Sequence, residues 1–327
     1  MNFMLDVQIT SPEKKINYLD PVMLVGSCFT EHIGNNLQEL KFQTFQNPSG
    51  ILFDPQSVSS SIISYIHNKK YSEADLFYFN ELWQCWNLHS MFSDTDKERC
   101  LQMINESHAK AHRFLKKSKW LILTLGSSFS YRLRENNQPV ANCHRAPAQW
   151  FDKHLMTIEE INSAFDSCIH QLFQLNPDIR IILTVSPVRH IRDGVIDNNR
   201  SKARLIECIH HLVNKFAKIY YFPAYELVID VLRDHRFYDI DMVHPNYQAT
   251  EFVLQKFVQH YVDDESTSLM EEIRKVIIAR KHKAFNPATR AHKKFLQDQF
   301  DKVTSLKAKH AFLDLAEELS YFSKNNE

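Results

Sequence analysis

Four short apolar runs punctuate the chain, each stopped by a small, polar or turn-forming residue. Val22-Met23-Leu24-Val25 runs into Gly26-Ser27, and Trp120 to Leu125 runs into Gly126-Ser127-Ser128. Ile181 to Val185 runs into Ser186-Pro187, and Ile219 to Phe222 runs into Pro223-Ala224. Uninterrupted runs of this length, rich in β-branched and aromatic residues, predict strands buried on both faces. A further candidate strand lies at Phe42 to Phe45. Helical periodicity fills the intervals, at about Thr30 to Leu40, Pro55 to Ile66, Asp96 to Lys117, Thr157 to Leu175 and Arg200 to Lys218. Strand alternating with helix predicts right-handed crossovers and an α/β fold, a parallel sheet with helices on both faces. Tyr131 to Asn142, with Asn136-Asn137 at its centre, predicts an added hairpin.

Beyond about Tyr261 the pattern changes to helical periodicity with no strand signal. This divides the chain into an α/β domain at 1–260 and a C-terminal helical extension at 261–327 packed on it. The segment 274–294 carries eight Lys/Arg and no acid. A basic amphipathic stretch could hold RNA or a membrane surface. No nucleic-acid motif accompanies it, so docked helices with their charge balanced elsewhere are expected, and no nucleic-acid partner.

Composition narrows the function classes. There are only five glycines, where average usage of about 7% would give roughly 23. No two stand closer than eight residues apart, which excludes G-x-G-x-x-G and Walker A loops. The formal net charge is zero, which offers no global attraction for polyanions. No apolar stretch approaches the ~20 residues of a membrane span. The first residues lack a secretory signal pattern, so a cytoplasmic location is expected. Six widely spaced cysteines without a C-x-x-C read as free thiols. His108 and His112 stand at i, i+4, but H-E-x-x-H is missing, and a solvated helical face is expected there. No metal or organic cofactor is indicated.

Ligands of an open parallel sheet bind beyond the carboxyl ends of its strands. Hydroxyls and glycines collect at those ends here. Ser27 falls between the first strand and the first helix, where it can present its hydroxyl as a nucleophile beside N–H groups that favour an oxyanion. It can also cap that helix, the commoner use of a serine at such a junction. Asp241-Met242-Val243-His244 puts a carboxylate and an imidazole on one turn, where Asp241 could fix the tautomer of His244 while the other ring nitrogen serves as base.

These residues belong to a wider pattern. Gly26-Ser27-Cys28-Phe29-Thr30 resembles the signature of the GSCFA domain family, with Thr in place of the final Ala. Asn47-Pro48-Ser49-Gly50, Trp86 with His89-Ser90, Leu125-Gly126, Ala141-Asn142-Cys143-His144, Ser186-Pro187-Val188-Arg189 and Ser201-Lys202-Ala203 also resemble that family, in its order. So do Tyr221 to Glu226 and Arg236 to Pro245, and the resemblance spans about residues 20–255. GSCFA proteins resemble the SGNH (GDSL-like) hydrolases, which implies a three-layer α/β/α, flavodoxin-like sheet of about five strands. It also implies a serine esterase or acyltransferase acting on a small acyl ester, such as acetyl on a carbohydrate.

On that resemblance Ser27 is the nucleophile, with His244 and Asp241 completing the triad. The oxyanion hole would draw on Ser27, Gly50, Gly126 and Ser128. The superfamily's G-x-N-D, whose Asn is an oxyanion donor, is replaced here by Gly126-Ser127-Ser128-Phe129. His89, Ser90, Asn142, His144 and Arg189 are candidates to line the substrate site, Arg189 by a bidentate contact or else as a structural ion pair. Cys143 and His144 are expected on a strand, facing opposite ways. Cys28 is either a helix-terminal thiolate, giving a cysteine-dependent alternative, or a small residue packed behind the turn. The other alternative is an inactive SGNH-fold binding protein, suggested by the missing G-x-N-D.

Overall fold

A computed structural model of the chain describes residues 5–324. The four apolar runs all become strands of one five-stranded parallel sheet. Its members are β1 (Val22–Gly26), β2 (Thr44–Gln46), β5 (Trp120–Leu125), β9 (Arg180–Val185) and β10 (Ile219–Tyr221), in the order β10-β9-β5-β1-β2. The candidate strand at Phe42 to Phe45 forms as β2, starting two residues later. Because the chain goes from β1 outward to β2 and then back across β1 to β5, the order reverses between β1 and β5. That reversal opens the crevice beyond their carboxyl ends. Gly26 pairs with Thr124 there, so Ser27 leaves β1 level with Leu125, one residue before Gly126.

Alternation along each strand divides the core into two layers. Val22, Leu24, Ile122 and Ile182 face α1 (Cys28–Glu39), the single turn α6 (Ala224–Glu226) and α7 (Tyr247–Tyr261). Met23, Val25, Leu121, Leu123 and Leu183 face the other layer, built from α2 (Pro55–Ile66), α3 (Lys97–Lys117), α4 (Ile158–Leu175) and α5 (Val195–Lys215). The architecture is therefore three-layer α/β/α. The fifth helix begins at Val195, earlier than periodicity suggested, directly after Gly194 at φ 82°.

The C-terminal helices α8 (Asp264–Lys281), α9 (Arg290–Lys309) and α10 (Ala316–Lys324) add Ile273, Val276, Val303 and Phe322 to the α1-side core. Several of their cations are paired with acids. Arg280 reaches Glu317 and Glu318, Arg274 reaches Glu251, and Lys281 meets Glu39.

Three local expectations need correction. The hairpin β6 (Phe129–Leu133) and β7 (Pro139–Val140) gains a third strand, β8 (Phe151–Leu155), paired antiparallel to β6. Cys143 and His144 lie outside any strand, because His144 takes φ 49° and Arg145 φ 57°, a left-handed turn that breaks the extended backbone. The α3 face bearing His108 is not solvated: His108 is wholly buried and His112 Nδ1 is 2.7 Å from the Tyr65 carbonyl. A second hairpin, β3 (Phe77–Phe79) with β4 (Leu82–Gln84), turns through Asn80 and Glu81, both at positive φ. Its Asn-Glu turn lacks the glycine that marks such hairpins in sequence.

Candidate active site

The turn from β1 into α1 is built around a glycine that nothing else can replace. Gly26 has φ 145°, and a Cβ on it would fall 2.2 Å from the Thr124 carbonyl oxygen. Asn47, itself at φ 43°, holds the turn by accepting from the Gly26 N–H at 3.0 Å. Ser27 then occupies the N-cap position of α1 with extended backbone, yet its side chain makes no capping bond. The residue is 1% exposed and its Oγ has no hydrogen-bond partner within the protein. Leaving a buried hydroxyl unpaired costs about 1–3 kcal/mol. A serine retained for capping would not sit this way.

Asp241 and His244 lie on an exposed turn before α7. The Asp241 carboxylate accepts N–H bonds from Val243 at 2.8 Å and His244 at 3.0 Å, while its other oxygen lies 2.6 Å from His244 Nδ1. The His244 side chain and these backbone donors hold the Asp241 carboxyl down to about 2. A carboxylate so placed favours the tautomer with hydrogen on Nδ1, leaving Nε2 as the basic nitrogen. The turn is pinned by Asp239 N–H donating to the His244 carbonyl at 2.8 Å and Arg189 N–H donating to the Val243 carbonyl at 3.1 Å. Arg189 lies in the loop after β9, so this bond sets the turn beside the carboxyl edge of the sheet.

The N–H groups considered for an oxyanion hole are all engaged within the protein. Ser27 donates to the Thr124 carbonyl at 3.1 Å, Gly50 to Asn47 at 2.8 Å and Gly126 to Phe53 at 2.8 Å. Ser128 N–H donates to Ser201 Oγ at 2.7 Å, and its hydroxyl donates to the Ser201 carbonyl at 3.2 Å. Gly50 is required for another reason: it has φ 76°, and a Cβ there would lie 2.2 Å from the His89 Cβ.

The remaining candidates divide. His89 is half-buried beside Gly50, its Nδ1 accepting from Met91 N–H at 3.2 Å, and burial holds its pKa low while Glu31 opposes. Ser90 beside it is exposed. Asn142 Oδ1 accepts from His144 N–H, and the buried His144 ring packs edge-on to Trp86 and Phe77, with Nε2 2.9 Å from the Cys85 carbonyl. These two brace the hairpin. Arg189 stacks its guanidinium 4.0 Å over the Tyr238 ring and donates to the Met242 carbonyl, a structural cation–π contact next to the His244 turn. Burial raises the Cys28 thiol, outweighing the pull of the Phe29 backbone, which removes the electrostatic reason for a thiolate.

Two residues without a role on sequence stand at this edge. Lys202 is 1% exposed and donates to the Gly126 and Ser186 carbonyls, each at 2.6 Å, tying together the loops after β5 and β9. Its burial pushes its pKa down to about 7. A lysine on an amphipathic helix reads as a surface residue, and its position inside Ser201-Lys202-Ala203 was the one available signal. His190, in the loop after β9, has a buried Nε2 with no partner within the protein. Among the described residues, no group of three or more His, Cys, Asp or Glu could hold a metal ion, and no helix is long and apolar enough to cross a membrane.

Comparisons with solved structures find distant likenesses. A Streptococcus pneumonia protein proposed to be a platelet activating factor is 15% identical, with a TM-score of 0.38 over 76% of this chain and 86% of that one. A carbohydrate esterase family 3 protein of Talaromyces cellulolyticus is 8% identical, with a TM-score of 0.37 over 79% and 99%. The acetyl xylan esterase Est2A of Butyrivibrio proteoclasticus is 11% identical, with a TM-score of 0.37 over 74% and 63%. No curated protein matches. Residues 273–327 match the C-terminal domain of GSCFA domain proteins. Residues 21–257, which hold the whole sheet and both parts of the candidate site, match the GSCFA family, to which this chain belongs.

Proposed function

We propose that the chain is an SGNH-type serine ester hydrolase or acyltransferase, with Ser27 as nucleophile, His244 as base and Asp241 as its orienting carboxylate. The observation that carries this reading is the Ser27 hydroxyl: buried, unpartnered, not capping its helix, and set at the reversal point of the sheet. The Ser27 proton passes to His244 Nε2 as Oγ attacks the ester carbonyl carbon. The tetrahedral oxyanion collapses, the ester C–O bond breaks, and the imidazolium returns the proton to the leaving alkoxide. Water, or the hydroxyl of an acceptor, then gives its proton to His244 and attacks the acyl-enzyme, the Ser27 Oγ–acyl bond breaks, and Oγ takes the proton back from the imidazolium. Ser27 Oγ and His244 are not hydrogen-bonded to each other here; in apo enzymes the serine–histidine hydrogen bond is often long and tightens with substrate. A small acyl ester on a carbohydrate hydroxyl is the substrate class the family resemblance suggests.

Fluorophosphonate labelling tests the reading. The wild type is expected to carry one adduct, mapped to Ser27 by peptide mass, and to turn over p-nitrophenyl acetate, and Ser27→Ala is expected to do neither. Absence of adduct and turnover in the wild type would instead favour a binding protein. The engagement of the four backbone N–H groups and the Ser128 hydroxyl is the observation on that side.

A further inference from the structure

An oxyanion formed at Ser27 needs hydrogen-bond donors, and the N–H groups of Ser27, Gly50, Gly126 and Ser128 are already committed. The structure offers a different one. His190 leaves β9 through Ser186-Pro187-Val188-Arg189 and folds back over the neighbouring strand end. Its Nε2 lies 3.3 Å from the point where a Cβ on Gly126 would stand, so the imidazole fills the space that this glycine leaves open. Gly126 follows β5 directly, and Thr124 of β5 is the residue whose carbonyl holds the Ser27 N–H. Two buried polar atoms without partners, Ser27 Oγ and His190 Nε2, thus belong to one corner of the sheet.

The ring is held there firmly. It packs edge-on to Phe53 at 5.6 Å, and the His190 backbone N–H donates to Asn198 Oδ1 at 2.9 Å, fastening the loop to the first turn of α5. Lys202, one helical turn further along α5, fixes Gly126 from below through its carbonyl.

We infer that His190 acts in ester cleavage as a neutral hydrogen-bond donor, presenting Nε2–H to the oxyanion that forms when Ser27 attacks. The inference rests on the Ser27 reading above. Charge supports the donor role over that of base. Burial and the Lys202 ammonium push His190 down to about 4, with His244 and Lys153 acting the same way and Asp193 opposing. A group so weakly basic is a poor proton acceptor at neutral pH but remains an uncharged N–H donor throughout the working range. His244, braced by Asp241, keeps the base role.

The experiment compares wild type, His190→Gln and His190→Leu in p-nitrophenyl acetate kinetics across pH, with Ser27 phosphonylation rates read by mass. Loss of an oxyanion donor costs roughly 10²–10³ in kcat. His190→Leu is expected to lose that much with KM little changed, and His190→Gln, whose amide can still donate, to recover most of it with an unmoved pH profile. Nitrogen NMR of histidine-labelled wild type, assigned with the Gln variant, is expected to show His190 protonated at Nε2 alone at pH 7, whatever the fate of the Leu variant. His190→Leu at wild-type rates, or an Nδ1–H tautomer, would overturn the inference and leave the Ser27 reading standing. Equal loss in both variants would also overturn it, since a base or a packing role is not rescued by an amide. If wild-type Ser27 is never labelled, the Ser27 reading fails and takes this one with it.

Discussion

Two buried polar regions of the protein treat their hydrogen bonds in opposite ways. Between α2 and α3, Ser49 Oγ lies 3.0 Å from Ser61 Oγ, 2.6 Å from Tyr65 OH and 3.3 Å from His108 Nε2, while Ser64 Oγ lies 3.3 Å from His108 Nδ1. Both nitrogens of that imidazole have partners. At the carboxyl edge of the sheet, Ser27 Oγ, Thr124 Oγ1, Thr184 Oγ1 and His190 Nε2 are equally buried and have none within the protein. Each region holds a histidine pushed down to about 4 by burial. Depressed basicity therefore does not separate these two regions, whereas the satisfaction of their polar atoms does. The closed network braces the Gly50 turn, since the Ser49 carbonyl accepts the His89 N–H at 2.9 Å. On the function proposed above, the unpartnered edge is where a substrate would supply the missing partners.

The contrast can be broken most forcefully at the edge. Asp241→Asn removes the group that sets the His244 tautomer, and a loss of about 10⁴-fold in kcat is expected with an unchanged melting temperature. An equal fall in stability would make the turn merely structural.

The next effect is shared by both regions. An imidazole whose folded pKa lies below its unfolded value of about 6.5 takes up more protons when the chain unfolds. Stability should therefore be full above about pH 6.5 and fall as pH drops toward about 4, by roughly 2 kcal/mol for each of His108 and His190 at pH 5. Denaturant melts at pH 7 and pH 5 read this directly. A flat profile would contradict the burial of both rings.

Within the closed network, His108→Leu strands the hydroxyls around it and should cost about 1–3 kcal/mol in stability, with esterase activity at 25 °C unchanged. The smallest effect has the opposite sign. Ser27→Ala deletes an unpaired buried hydroxyl, so the inactive variant should match or exceed the wild type in stability, by up to about 1 kcal/mol. Destabilisation of that size would mean that Ser27 has a partner in the folded protein after all.

Much of this arrangement was legible before any coordinates. The strands of the sheet follow from apolar runs, because burial on both faces leaves no room for polar alternation. Ser27 and the Asp241–His244 turn are local motifs at element boundaries, and sequence spacing identifies them. Less legible was β3–β4, whose turn uses Asn80 and Glu81 at positive φ without the usual glycine. His108 was misleading because a polar residue on a helix reads as solvated, and only packing partners reveal otherwise, while Lys202 stood out only within the Ser201-Lys202-Ala203 resemblance. His190 gave no sign of its place, since its role depends on a glycine more than sixty positions earlier in the chain.

By itself, the sequence determined the parallel sheet, the order of its elements and the residue types gathered at its carboxyl edge, because these depend on periodicity and on short-range turns. Only the tertiary structure decided which polar atoms are satisfied. That outcome depends on contacts between distant segments, such as Thr124 on Ser27 and Lys202 on Gly126. A buried donor's partner is chosen by three-dimensional packing, and no local pattern encodes it.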